Sequence, residues 1–68
     1  MIPASISMEE LKTKFLNLYV NLPLNERKEV IVIIENEPIT WAIAYIEISG
    51  NSPKGIEILQ KLQELQIL

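Results

Sequence analysis

Five consecutive β-branched residues, Val30-Ile31-Val32-Ile33-Ile34, constrain this chain more than any other feature. Such a run is stiff at χ1 and too short for a buried helix, so it specifies a strand, here expected over residues 28–35. Asn36-Glu37-Pro38 supplies turn residues, and Ile39-Thr40-Trp41-Ala42-Ile43-Ala44-Tyr45-Ile46-Glu47-Ile48 reads as a second, longer strand over 38–48. Together they make an antiparallel hairpin.

The hairpin is flanked by two helices whose starts are written in capping chemistry. Ser7-Met8-Glu9-Glu10 is a capping box, with Ile6 and Leu11 placed as its hydrophobic staple. The helix is expected over 8–21, with Met8, Leu11, Phe15, Leu18, Tyr19 and Leu22 on one stripe, until Pro23 stops it. Leu16 and Val20 form an i,i+4 apolar pair off that stripe. Ser52 is a fair N-cap with Pro53 at the first helical position, and the stripe Gly55, Ile58, Leu59, Leu62, Leu65 carries a second helix over 53–66. Glu10 with Lys14 and Glu57 with Lys61 are expected i,i+4 pairs. The fold class is therefore α+β, in the order α-β-β-α, with no linker or repeat within residues 1–68.

A chain this small gains little from its core alone, and disulfides, a structural metal or a partner commonly make up the difference. The sequence has no cysteine and no histidine, which removes disulfides and the commonest metal ligands, so no metal and no cofactor is expected and association is the route left. It also has no aspartate. Without His, Cys or Asp the usual nucleophile-base pairs cannot be assembled within one chain, so it is read as not an enzyme. The adjacent carboxylates Glu9 with Glu10 and Glu35 with Glu37 are explained by the helix start and by a charged turn. Ser52 and Lys54, at a helix start where backbone N–H groups could hold an anion, are explained by capping. The N-terminal residues lack the pattern of a secretory signal and no window is a membrane span, so the expected location is the cytoplasm.

Alternation along the second strand puts Ala42, Ala44, Ile46 and Ile48 on one face, where helices can approach closely, and leaves Ile39, Trp41, Ile43 and Tyr45 on the other. With Ile31 and Ile33 of the first strand, these form a candidate interface for a second copy or a larger protein. The alternative is one helix on each face, which places Trp41 in the core. The two open edges of a hairpin offer another route to pairing. A competing reading is direct nucleic-acid binding through Lys12, Lys14, Arg27 and Lys28, but the net charge of −3 makes any such contact weak or indirect.

Twelve isoleucines, no cysteine and charge carried almost wholly by Glu and Lys match a hyperthermophile bias, which an AT-rich genome would also produce. The order α-β-β-α is similar to that of double-stranded RNA-binding domains, but this chain has one strand fewer and lacks their basic helix terminus. Across its whole length it resembles the small orphan accessory proteins of thermophilic archaea. That resemblance implies a non-catalytic subunit or homodimer that stabilises a larger assembly, such as a DNA polymerase or a ribosome complex.

Overall fold

The computed structural model describes residues 7–68. Helix α1, Met8–Val20, is followed by a 3-10 helix, Leu24–Lys28, and by strands β1, Val30–Ile34, and β2, Glu37–Thr40. Helices α2, Trp41–Ser49, and α3, Pro53–Glu64, complete the chain. The fold is α+β with an antiparallel hairpin between helices, as expected, but the second strand is much shorter than residues 38–48. From Trp41 onward the chain is helical.

The reason for that correction is local. Thr40 is extended, and its hydroxyl accepts the Ile43 N–H at 3.1 Å, which caps a helix. Trp41, Ala44, Tyr45 and Ile48 then recur at i, i+3, i+4 and i+7, a helical spacing that the alternating reading overlooks. The capping box of α1 forms as expected: Ser7 Oγ accepts the Glu10 N–H at 3.1 Å, and a Glu10 carboxylate oxygen accepts the Ser7 N–H at 3.4 Å. Ile6, its proposed staple partner, lies outside the described residues. Ser52 Oγ caps α3 by accepting the Gly55 N–H at 3.0 Å, with Pro53 at the helix start. On that helix Lys61 lies 3.7 Å from Glu64, an i,i+3 neighbour, and not against Glu57.

The hairpin turns through Glu35 and Asn36, both left-handed (φ 51° and 68°), the signature of a type I′ turn. Val32 pairs with Ile39, Ile33 with Pro38 and Ile34 with Glu37, and Ile31 falls in a bulge between Val30 and Val32. Val32, Ile34 and Ile39 face inward to meet Leu11 and Phe15 of α1, Ala44 and Ile48 of α2, and Ile58, Leu59 and Leu62 of α3. The helices therefore pack on one face of the hairpin. Ile33 and Pro38 are exposed on the other.

Helices α2 and α3 meet backbone to backbone at Gly55. A β-carbon there would lie 2.7 Å from the Glu47 carbonyl carbon and 2.9 Å from Ile48 Cα. The intervening turn closes with Asn51 left-handed (φ 57°), the Ser52 N–H donating to the Glu47 carbonyl at 3.2 Å and the Asn51 N–H to that of Ile48 at 3.1 Å, a Schellman motif.

Two substitutions test these backbone constraints. Gly55→Ala gains helix propensity of up to about 1 kcal/mol. It also forces two helix backbones apart, for which overpacking costs of roughly 1–3 kcal/mol are typical. A net loss of about 1–2 kcal/mol is expected as a lower urea midpoint at unchanged slope, and a gain in stability would show that the helices are not in contact there. Replacing Glu35-Asn36 by Asn-Gly suits both left-handed positions and is expected to raise stability by about 1 kcal/mol in the same titration.

Candidate functional site

Helix α2, with sequence WAIAYIEIS, is apolar on nearly every side, and Glu47 is its one charged residue. Its inward side is set by Ala44 and Ile48, both buried, and by the half-buried Trp41. At 100° per residue Ala42, Ile43 and Ile46 fall on the opposite side. There Ile46 is 66% exposed and Ile43 37%, with Tyr45 at the margin, 38% exposed. A helix that is apolar all round is ordinarily buried all round. This one is covered along one side.

Two sets of contacts hold α2 in that orientation. On one flank an i,i+4 pair of rings from α1, Phe15 and Tyr19, meets an i,i+4 pair from α2, Trp41 and Tyr45. Phe15 and Trp41 have centroids 5.7 Å apart, and Tyr19 and Tyr45 stack at 4.4 Å, 11° from parallel. Arg27, from the 3-10 helix, places its guanidinium carbon 4.4 Å from the Tyr19 ring centroid, while Nη2 donates to the Tyr19 carbonyl at 3.3 Å. That carbonyl belongs to the last turn of α1, where a cation is favourable. The Arg27 Nε is buried without a hydrogen-bond partner, so the stacking holds the side chain at the cost of one unsatisfied donor.

On the other flank Glu47 accepts the Ser52 hydroxyl at 2.6 Å, which ties the charge of α2 to the start of α3. Lys54, the second residue of α3, donates to Glu37 at the start of β2 and clasps the hairpin to the helix. The hydrogen bond to Glu37 holds the Lys54 ammonium above its ordinary pKa of 10.5 against a smaller opposing effect of burial, and the charges of Glu37, Glu47 and Glu35 act in the same direction as the bond. Ser52 and Lys54 are thus both engaged within the fold.

The expected interface residues do not share a face, because that face required Trp41–Ser49 to be a strand. Ile39 is fully buried in the core and Ile31 packs against it from the bulge. Trp41 also packs against the core, as the two-sided alternative had it, although all three α-helices sit on the same side of the hairpin. Ile33, 60% exposed, lies on the outer side of the hairpin. Ile43 and Tyr45 remain on or beside the exposed side of α2, joined by Ile46, which alternation had assigned to the covered face. Thr40 as a cap followed by helical spacing is the signal that would have found Ile46. Of the pair expected off the main stripe of α1, Leu16 packs against the core and Val20 is 64% exposed.

The four basic residues do not converge. Lys12 donates to the Asn51 side chain at 2.7 Å and Arg27 is held against Tyr19, while Lys28 is exposed on the 3-10 helix. Lys14 is turned far around α1 from Lys12 and lines a shallow depression with Glu9, Glu10 and Thr13, where carboxylates oppose a phosphate. Among the described residues no cluster of three or more potential ligands suits a metal ion, and no helix is long and apolar enough to cross a membrane. Comparison with known proteins finds no matching family model, no matching curated protein and no matching solved structure.

The Lys54 clasp gives a pH dependence with a definite sign. A lysine whose pKa is raised by folding contributes its full stabilisation below the unfolded value and loses it as pH rises through the folded one. The stability difference between the native chain and Lys54→Gln should therefore be constant from neutral pH to just below 10.5 and shrink above it. Urea midpoints measured across that range check this, and a difference that grows with alkalinity would refute the clasp.

Proposed function

We propose that this chain is a non-catalytic protein-protein interaction module of the cytoplasm, which docks on another protein chain through the exposed side of α2 as a small accessory subunit or homodimer. The observation that carries this reading is a helix apolar on all sides but packed along one, with Ile43, Tyr45 and Ile46 outward. Contiguous apolar surface of this kind marks interaction sites on small proteins. Isolated exposed side chains do not.

A non-catalytic role is supported by what the side chains are already doing. The sequence offers neither histidine, cysteine nor aspartate, and the carboxylates best placed for chemistry are engaged: Glu10 in a helix cap, Glu37 with Lys54, and Glu47 with Ser52. Membership of a larger assembly, such as a polymerase or ribosome complex, rests on the resemblance to archaeal accessory proteins, and the helix face is where such an assembly would be engaged.

A photo-crosslinking residue placed at Ile46 tests the reading directly, with the same residue at Glu57, exposed on α3, as control. In cells of the source organism a protein adduct is expected from position 46 alone. It should disappear when Ile43→Glu is added, with far-ultraviolet circular dichroism showing the helices intact. Adducts equal at both positions, or none at position 46, would overturn the proposal.

A further inference from the structure

Resting on that reading, we infer that the occupant of the α2 face is a second copy of this chain, with the two α2 helices packed antiparallel about a two-fold axis. Charge is the first reason. The chain carries a net charge of −3, so any self-contact must avoid bringing its carboxylates together. In a two-fold contact a patch meets itself, and a charged patch therefore repels itself. The outer side of α2 is free of charge, and Glu47, on the flank, is bonded to Ser52.

Shape is the second reason. Ala42, Ile46 and Gly50 recur every four residues along the outer side, a large side chain between two small ones. Gly50 has an ordinary φ of −84°, and the left-handed position of the turn falls on Asn51, but a β-carbon at position 50 would press on the Ile46 carbonyl oxygen at 3.2 Å, so the helix end also favours glycine there. Its lack of a side chain leaves space beside Ile46. An antiparallel pair centred at the level of Ala44 sets Ile46 of each copy over Ala42 of the other, so that a large side chain meets a small one on both sides of the axis.

Strand pairing, the other route to self-association that the sequence suggests, is hindered at the hairpin. In a two-residue hairpin Ile34 and Glu37 form the hydrogen-bonded pair next to the turn, which leaves Ile33 and Pro38 as the pair whose backbone groups point to the open edges. Pro38 offers no N–H to the open edge of β2, and the bulge at Ile31 disrupts the edge of β1. Strand addition is therefore disfavoured on both sides.

Area sets the strength. Ile43, Tyr45 and Ile46, 37%, 38% and 66% exposed, make a small apolar patch, at or below the low end of what specific complexes bury. The dimer is accordingly a weak one.

Sedimentation equilibrium of the intact chain from micromolar to millimolar concentration tests this. The mass is expected to rise from 7.8 kDa towards twice that value. Ile46→Glu should hold it at the monomer value with unchanged circular dichroism, Ile46→Ala should weaken association at least tenfold, and adding Ala42→Ile to Ile46→Ala should restore it by reversing the large-small pairing. A chain that stays monomeric to millimolar overturns the second-copy inference alone if the crosslinker at position 46 still captures a different protein. A dimer indifferent to Ile46→Glu, together with no adduct from position 46, overturns the interface reading as well.

Discussion

The close approach of α2 and α3 at Gly55 decides how the rest of the chain is arranged. With no β-carbon between them, the α3 backbone lies directly against Glu47 and Ile48. That contact, closed by the Schellman turn at Asn51, fixes both the position of α2 and its rotation about its own axis. Ala44 and Ile48 must then point into the core. At 100° per residue, Ile43 and Ile46 must point out.

The four-ring contact between α1 and α2 reinforces the same rotation from the opposite flank. Aromatic pairs add perhaps 0.5–1.5 kcal/mol beyond the area they bury, and here they join helices separated in sequence by the whole hairpin. Phe15 is fully buried in this contact, whereas Tyr19 and Tyr45 run along its rim, where Arg27 covers Tyr19. The glycine contact and the aromatic rings grip opposite flanks of α2, which fixes the side it turns outward.

Much of this was legible in the sequence, and the illegible part has a physical cause. Ser7, Ser52 and Pro53 announced the two outer helices because helix starts favour residue types that helix interiors disfavour, and Val30–Ile34 announced a strand because five β-branched residues in succession resist a helix. Trp41–Ser49 contained no such discrimination. A segment apolar on every side satisfies period 2 and period 3.6 equally, so alternation placed Ile46 with Ala44 when the helix separates them. Two clues favoured the helix: Thr40 as a cap, and a second strand longer than any partner in the chain could pair. The candidate surface shifted with that element, keeping Ile43 and Tyr45, gaining Ile46, and giving up Ile39 to the core. The basic residues failed to converge for a related reason, since Lys12 and Lys14 are neighbours in sequence but diverge around a helix.

What remains is why a chain of this size keeps an apolar helix at its surface. Neither Ile43 nor Ile46 belongs to the buried core, so polar side chains at both positions would leave the packing of α2 intact while raising solubility. Folding within one chain therefore does not explain them. The same chain blunts both edges of its hairpin with a bulge and a proline, which are devices against unwanted association. On the reading proposed above, a fold that hinders pairing at its sheet edges while leaving one helix face uncharged and apolar directs association to that face, and the smallness of the face suits a partner surface that matches a single short helix.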